Sequence, residues 1–244
     1  MYLSWIIPAY NEEKRIEKTI REVDAYLRSR NLPGGYEIIV ANSASGDRTA
    51  DIVERLRGDI SGLRLMNVEN QGKGWAVKQG MLASRGEIRL FSDADNSTAP
   101  QYLDAVLPRF QEGYDVVISS RDPRDAPGAS RERGREPMYR RLFSTVGNLV
   151  IQLVGVAGLW DTQNGFKALT ARAAQAIFLQ SRIEGFAFDI ELLALARRFG
   201  YRIAVIPIHW RLDPESKVTL QGALRVFLDV FRLRWYLMTG AYRI

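Results

Sequence analysis

The sequence predicts an α/β protein with a central, mostly parallel sheet flanked by helices. Short apolar runs alternate with segments of helical periodicity, and polar or glycine-rich loops join them. The 244 residues are 46% hydrophobic and 25% charged, which suits one large α/β domain. We therefore expect a single domain over residues 1–244, with its functional loops at one edge of the sheet.

The first half of the chain is predicted to form successive β-loop-α units. Residues 3–7 are apolar and Pro8 ends them, which indicates a strand. In residues 13–28 apolar side chains recur every three or four positions, which indicates a helix with one buried face. The same reasoning predicts strands at 37–40, 63–68, 88–91 and 115–119 and helices at 49–56, 75–84 and 101–111.

The second half is predicted to be richer in amphipathic helices. Residues 122–137 are charged and aperiodic, so we expect a loop there. Residues 142–160 carry no charge, but their polar side chains and helical spacing favour an amphipathic helix from Tyr139 over a membrane span. The other predicted elements are a helix from Arg172, a helix with Asp189 and Glu191 that ends near Phe199, a strand at 203–208 and a basic amphipathic helix at 220–237.

Composition and charge limit the possible functions. The chain has no cysteine and one histidine, so thiolate and multi-histidine metal sites are excluded, and a metal would be held by oxygen. The net charge of +6 favours anionic partners. Nucleic acid is not an expected partner, because the arginines are spread over motifs and loops rather than gathered on one face. Met1 leads into no secretory signal, so we expect a cytoplasmic protein.

Asp93 and Asp95 form the first candidate site. They follow the apolar run 88–91, at the position where open α/β sheets bind ligands. Alternate residues of an extended segment point the same way, so both carboxylates can bind one hard divalent cation together with substrate phosphate oxygens. A surface turn after a strand explains the two aspartates equally well from these residues alone.

Ordered motifs along nearly the whole chain resemble a known family. Residues 7–13 (Ile-Pro-Ala-Tyr-Asn-Glu-Glu), 70–74 (Asn-Gln-Gly-Lys-Gly) and 93–98 (Asp-Ala-Asp-Asn-Ser-Thr) resemble the family 2 inverting glycosyltransferases, which have the Rossmann-like GT-A fold. Motifs of the second half resemble the dolichyl-phosphate β-glucosyltransferases and the polyprenyl-phosphate mannosyltransferases. They lie at 120–121, 139–142, 161–167, 185–191 and 210–218.

The resemblance implies a metal-dependent hexosyltransferase. The expected reaction transfers glucose from UDP-glucose to a polyprenyl or dolichyl phosphate with inversion, and the expected cofactor is Mg²⁺ or Mn²⁺. Residues 1–121 would bind the nucleotide sugar and the metal, and residues 122–244 the lipid acceptor. Two alternatives stay open: a mannosyltransferase that uses GDP-mannose, and a sugar-nucleotide-binding module without turnover.

The resemblance also implies binding residues for each ligand. Local structure alone explains some of them, because Glu12 suits the start of a helix and Lys73 suits a solvated loop. The implied metal ligands are Asp93, Asp95 and Ser97. The implied nucleotide-sugar contacts are Pro8, Tyr10, Glu12, Asn42, Lys73, Ala94, Arg211 and Lys217, and the implied acceptor-phosphate contacts are Arg121, Arg140 and Arg141.

Two aspartates are candidate catalytic residues by the same resemblance. A polyprenyl phosphate is already an anion, so its attack on the sugar needs positioning and charge neutralisation more than a general base. Asp161 resembles a family aspartate near the reacting centre, and Asp189 lies where related enzymes place their base. A turn residue and an acid in the first turn of a helix are the structural alternatives for these two positions.

The loop after the second predicted strand departs from the family pattern. Relatives carry an acidic residue there that contacts the base, whereas this chain has Ala41 followed by Asn42. We expect the Asn42 amide to take over this contact. The identity of the nucleotide therefore depends on this loop.

The amphipathic helices of the second half are candidates for membrane contact. Apolar faces flanked by arginines suit an anionic membrane surface, and packing onto the sheet explains the same periodicity equally well. A lipid acceptor would make the chain a peripheral membrane protein. His209 is expected to be a packed or hydrogen-bonded edge residue, and Trp210 a core residue.

Overall fold

A seven-stranded sheet organises the molecule, which a computed structural model describes over residues 1–131, 147, 150–152, 156–210 and 220–242. The strands of this sheet are β1 (Leu3–Ala9), β2 (Tyr36–Ser43), β3 (Leu63–Val68), β4 (Ile88–Ser92), β5 (Val116–Ser120), β7 (Phe166–Thr170) and β8 (Ile203–Pro207). A separate pair consists of β6 (Ser130–Arg131) and β9 (His209–Trp210). The described helices are α1 (Ile16–Ser29), α2 (Thr49–Leu56), α3 (Lys73–Ala83), α4 (Leu103–Gln111), α5 (Ala171–Gln180), α6 (Phe188–Arg198) and α7 (Leu220–Met238), with a 3₁₀ turn at Pro100–Tyr102.

The strand order is β3-β2-β1-β4-β7-β5-β8. Neighbouring strands run parallel except at β7, which is antiparallel to both β4 and β5. The predicted class, a mostly parallel sheet flanked by helices, is confirmed. Strands from both halves of the chain share the sheet, so the loops of both halves can reach one site.

The sheet is buried on both faces because alternate strand residues enter two different cores. Ile6 packs in one core with Val77 of α3, and Ile7 packs in the other with Ile20 of α1. Both isoleucines are fully buried, and each such side chain stabilises the fold by about 1.5–3 kcal/mol relative to an exposed one. The core thus fixes the ends of the central strands, from which the functional loops leave.

Most predicted elements of the first half are confirmed. Helix α2 and strand β3 have the predicted bounds, and the other strands differ from the prediction by one to three residues at an end. Helix α1 begins at Ile16 rather than at 13, because residues 11–15 form a bend and turn. The loop predicted at 122–137 contains the short strand β6, whose partner is β9.

Strand β7 was not predicted. It contains Lys167 between Phe166 and Ala168, and the lysine side chain is fully buried. In the sequence, this short run looks like a solvent-exposed segment because it contains a lysine. The predicted amphipathic helix from Tyr139 lies largely outside the described residues, which show helix at Val150 to Gln152.

Helix α7 has two apolar faces. Val230 and Leu233 are buried against the core, whereas an opposite stripe is exposed. This stripe consists of Leu228, Phe231, Trp235 and Met238. In the part of the chain that the structure describes, no helix has the length and apolar character needed to cross a membrane.

Candidate active site

The loop after β4 is held from two sides. The indole N–H of Trp5 in β1 donates to Ser92 Oγ at 2.8 Å. The hydroxyl of Thr19 in α1 donates to the carbonyl of Ala94 at 2.6 Å. Ala94, a predicted donor contact, is itself buried. Buried hydrogen bonds thus fix the backbone of the Asp-Ala-Asp segment before any ligand binds.

Asp93 lies in the centre of the site. Its Oδ1 is 2.5 Å from Lys73 Nζ, and about a fifth of the Lys73 side chain is exposed. A Cβ at residue 165 would lie 2.2 Å from Asp93 Oδ2, so the close approach of the backbone requires Gly165. Burial disfavours the charge on Lys73, but the carboxylates of Asp93 and Asp189 outweigh it and raise the pKa of Lys73. Lys73 is therefore a fixed cation.

Asp95 and Ser97 are the other predicted metal ligands. The backbone N–H of Ser97 donates to Asp95 Oδ1 at 2.9 Å, and both residues are partly exposed. Among the described residues, no group of three or more His, Asp or Glu side chains could enclose a metal ion. Two carboxylates at an open edge, both on partly exposed residues, fit a hard cation that completes its shell with water and phosphate.

The glycine-rich loop that carries Lys73 packs against the segment before α6. Gly72 has φ of 124°, and a Cβ there would lie 2.5 Å from the Glu184 carbonyl oxygen. The same carbonyl accepts the N–H of Trp75 at 3.1 Å. The lysine is therefore presented from a rigid helix start rather than from a solvated loop.

A second lysine, Lys167, forms a fully buried ion pair with Asp189. Lys167 Nζ lies 2.5 Å from Asp189 Oδ1 and donates to the Asn164 carbonyl at 2.5 Å. Burial lowers the pKa of Lys167 and raises that of Asp189, and the attraction between the two groups opposes both shifts. The pair has no net charge, and the Asp189 carboxylate also contributes to the raised pKa of Lys73.

Arg121 and Asp161 form a third pair. The Asp161 carboxylate accepts from the Arg121 backbone N–H (2.7 Å), Nε (2.8 Å) and Nη2 (2.6 Å). The Arg121 guanidinium outweighs burial and holds the pKa of Asp161 below its usual range. Asp125 accepts the Asp161 backbone N–H at 2.8 Å, and the Arg121 guanidinium lies 5.3 Å from the Trp210 ring centroid. Trp210 is half-buried and packs against the core, as predicted, with the arginine over its ring.

Glu191 lies two residues from Asp189 but faces the scaffold. It is fully buried and accepts the backbone N–H groups of Arg182 (2.9 Å) and Ile183 (3.0 Å). The hydroxyl of Tyr242 donates to it at 2.5 Å. Burial raises the pKa of Glu191, and these hydrogen bonds oppose the shift. Glu191 thus fixes the segment on which the Lys73 loop packs.

The predicted nucleotide contacts near the N-terminus lie at the same edge of the sheet. Pro8 is partly exposed and Tyr10 is exposed. Glu12 forms an ion pair with Arg15 at 2.5 Å, and its backbone N–H donates to Thr49 at 2.8 Å. The bond to Thr49 joins the loop after β1 to the start of α2.

The Asn42 side chain is already engaged. Its Nδ2 donates to Asn67 Oδ1 at 2.8 Å, and its Oδ1 accepts the Ser45 N–H at 3.4 Å. Its contact with the base stays a prediction. The neighbouring Ala41 is fully buried, so an aspartate there would have to enter the core.

The structure brings the central candidates together and adds others. Arg140, Arg141, Arg211 and Lys217 lie outside the described residues. His209 is exposed in β9, with Nδ1 2.7 Å from Ser130 Oγ, as expected of an edge residue. Sequence reasoning missed the roles of Thr19, Asp125, Gly165, Lys167 and Glu191, and the motifs at 161–167 and 185–191 are the signals that could have indicated the last three.

Together these features define an α/β protein whose paired cationic and acidic side chains lie near the edge of the sheet where such folds bind ligands. The model of the family described as glycosyl transferase family 2 matches residues 4–173. The chain belongs to glycosyl transferase family 2 and is a glycosyltransferase.

Curated relatives match almost the whole chain. Dolichyl-phosphate beta-glucosyltransferase ALG5A of Trichomonas vaginalis is 32% identical, with 100% of this chain and 76% of the relative covered. Dolichyl-phosphate beta-glucosyltransferase of Homo sapiens is 31% identical, with 99% and 78% covered. The resemblance to this group, expected from the motifs, is confirmed.

A solved structure shares the fold. Glucosyl-3-phosphoglycerate synthase of Mycobacterium tuberculosis, crystallised with Mn²⁺, UDP-glucose and phosphoglyceric acid, aligns with a TM-score of 0.68 and 20% identity. The alignment covers 96% of this chain and 80% of the synthase. The predicted GT-A fold is confirmed.

Proposed function

We propose that this glycosyltransferase transfers glucose from UDP-glucose to a dolichyl or other polyprenyl phosphate, with inversion at the anomeric carbon. The observation that carries the proposal is the alignment of nearly all of this chain with relatives that are dolichyl-phosphate beta-glucosyltransferases. The geometry supports it, because paired cationic and acidic side chains, which suit phosphate and metal ligands, lie near one edge of the sheet.

The donor diphosphate is assigned to Lys73, Asp93 and Asp95. The two aspartates would hold Mg²⁺ or Mn²⁺, which as a Lewis acid stabilises charge on the leaving nucleotide. A protein of the same fold was crystallised with Mn²⁺ and UDP-glucose, so the fold accommodates both. Lys73 contributes a fixed charge to the same diphosphate. Its pair with Asp93 is partly exposed, so an incoming phosphate can reach both groups.

The acceptor phosphate is assigned to Arg121. Asp161 engages Nε and one Nη of the guanidinium, and five N–H donors in a planar fork leave others for a phosphate oxygen. Asp161 is held ionised by this arginine, so we assign it to orienting Arg121 rather than to removing a proton. The acceptor is already an anion, and its attack requires orientation and charge neutralisation.

A lipid acceptor requires contact with a membrane, and α7 suits that contact. Its exposed apolar stripe lies beside Arg225, Arg232 and Arg234, which are also exposed. Apolar side chains flanked by arginines bind anionic bilayer surfaces. We therefore place the enzyme peripherally on a membrane.

An assay of the purified chain with labelled sugar nucleotides and a short polyprenyl phosphate tests the proposal. With Mn²⁺ or Mg²⁺ we expect glucosyl transfer from UDP-glucose, loss of transfer on chelation, and a β-linked product from the α-linked donor by NMR. Preferential transfer from GDP-mannose would establish the mannosyltransferase instead. Absence of product with every donor would leave a sugar-nucleotide-binding module.

A further inference from the structure

Lys167 is a buried cation that has no role in the proposed reaction as described above. Its side chain is 0% exposed, and its ammonium bonds both Asp189 Oδ1 and the Asn164 carbonyl. The Phe91 ring centroid lies 5.6 Å from the same ammonium. The lysine is thus held in one position, with its charge directed at the Asp189 carboxylate.

Stability alone does not account for a charged pair at this position. Lys167 is opposite Phe91 in β4 and opposite Ile118 in β5, and both neighbours are fully buried. Taking two charges out of water is costly, and an apolar pair of similar volume is often at least as stable. A buried lysine at the centre of the sheet therefore points to a role in the site.

The start of α6 lies beside the loop that carries Lys73. Asp189 is the second residue of α6, and a Cβ at Gly74 would lie 2.6 Å from the Cβ of the first, Phe188. The Trp75 backbone N–H also donates to the Glu184 carbonyl at 3.1 Å, just before this helix. Because Lys73 is assigned to the diphosphate and the sugar is bonded to that diphosphate, a carboxylate at this position suits a contact with the sugar.

We propose that Lys167 is a positioning residue that holds Asp189 Oδ1, so that Oδ2 accepts a hydrogen bond from a hydroxyl of the transferred sugar. The proposal rests on the proposed function, because it assumes a nucleotide sugar in the site. Asn164 completes the arrangement: its carbonyl accepts from Lys167, and its Oδ1 accepts from Thr98 Oγ1, just past the metal-binding aspartates, at 3.3 Å. Lys167 thereby links the sugar contact to the metal loop.

Calorimetry with Mn²⁺ tests the proposal without requiring turnover. Lys167→Met removes the charge with little change in length. We expect its affinity for UDP to stay within about 2-fold of the unmodified chain and its affinity for UDP-glucose to fall about 10-fold, the range of one lost hydrogen bond to a charged group. In the transfer assay kcat should fall by a similar factor or more, with the KM for polyprenyl phosphate unchanged. A merely structural role would weaken UDP and UDP-glucose binding equally.

A double-mutant cycle tests whether Lys167 acts through Asp189. Asp189→Asn alone should weaken UDP-glucose about 10-fold, and adding Lys167→Met to it should change the affinity by less than about 2-fold. Should Lys167→Met not fold, the Lys167→Met/Asp189→Asn chain, which buries no charge at this pair, still tests the proposal, because a loss of more than about 2-fold relative to Asp189→Asn would overturn it. Arg89→Met is the matched control. It removes a cation from β4, the strand paired with β7, toward the end of that pairing away from Lys167.

Three results would overturn the proposal: unchanged UDP-glucose affinity in Lys167→Met, equal losses for UDP and UDP-glucose, or independent losses that multiply in the double variant. The proposed function fails separately. If the unmodified chain binds UDP-glucose but transfers nothing, the reaction is wrong and the affinity ratios still decide the role of Lys167. If it binds GDP-mannose instead, GDP and GDP-mannose replace the uridine ligands in the same comparison.

Discussion

The site contains two lysine–aspartate pairs with the same 2.5 Å separation and different surroundings. In Lys73–Asp93 the side chains are 21% and 30% exposed, whereas in Lys167–Asp189 they are 0% and 3% exposed. The first pair is open to a ligand that carries its own charge. The second is closed on the lysine side, so its cation can act on a ligand only through the aspartate.

The difference shows how one charged motif serves two tasks. An exposed pair is worth little to stability, because water solvates each partner when the pair opens. A buried pair cannot open without leaving an unsolvated charge. We therefore assign Lys73 and Asp93 to binding the diphosphate, and Lys167 to fixing a neighbour.

The largest expected effect is a difference in the free energy of unfolding between variants of the two lysines. Lys167→Met leaves Asp189 buried without a partner, and we expect the free energy of unfolding to fall by about 3–5 kcal/mol. Lys73→Met should cost less than about 1 kcal/mol, because Asp93 is partly solvated. Urea denaturation of both variants measures the difference.

The control for this prediction removes both members of the buried pair. Lys167→Met combined with Asp189→Leu should recover most of the lost stability, because no charge then remains buried. Equal losses in Lys167→Met and Lys73→Met would show that burial does not distinguish the pairs.

The next effect concerns activity at the open pair. Asp95→Asn should lower metal-dependent transfer by about 10²–10³-fold, the range for loss of one group that stabilises developing charge. The melting temperature should stay within a few degrees, because Asp95 is partly exposed. Asp104→Asn on α4, whose carboxylate pairs with Arg30, is the matched control and should retain activity. Full activity of Asp95→Asn would refute the metal assignment.

The open pair could be predicted largely from the sequence, and the closed pair could not. Lys73 and Asp93 follow local signals, a glycine-rich loop and the end of an apolar strand, so periodicity and motif placed them. Their ion pair spans separate β-loop-α units, and only the parallel sheet brings them together. Lys167 looks like a surface residue in the sequence, and its burial depends on the antiparallel insertion of β7 between β4 and β5.

The two acids in the first turn of α6 show the same limit of prediction from sequence. The sequence predicts Asp189 in the site, and the structure pairs its carboxylate with the buried Lys167. Glu191 has the same chemistry in the same helical turn, yet it binds the backbone of the preceding segment and Tyr242. The partner of Glu191 lies near the C-terminal end of the described chain, so no local pattern distinguishes the two acids.

A smaller effect tests this scaffold. Tyr242→Phe removes the hydroxyl that donates to Glu191, and we expect a loss of about 1.5–3 kcal/mol, the value of a hydrogen bond to a charged group. The ring should keep its contact with Tyr236, so thermal denaturation isolates the hydrogen bond. Tyr201→Phe, which removes a hydroxyl from the segment between α6 and β8, is the control. A loss no larger than that of the control would show that Glu191 does not depend on Tyr242.

The smallest effect uses acid to compare the closed pair with Arg121–Asp161. Arg121 keeps the folded-state pKa of Asp161 below its unfolded value, so this stability is present above about pH 4 and is lost as the pH falls through the folded pKa. Burial raises the folded-state pKa of Asp189, so ionised Asp189 opposes folding above that pKa, and acid relieves the opposition.

Between about pH 6 and 2 we expect stability to fall less steeply in Asp161→Asn than in the unmodified chain, and more steeply in Asp189→Asn. For one proton the slope of stability against pH changes by at most about 1.4 kcal/mol per pH unit. Urea denaturation across this range measures both slopes. Equal slopes in the two site variants would mean that partner and burial do not set the two aspartates apart.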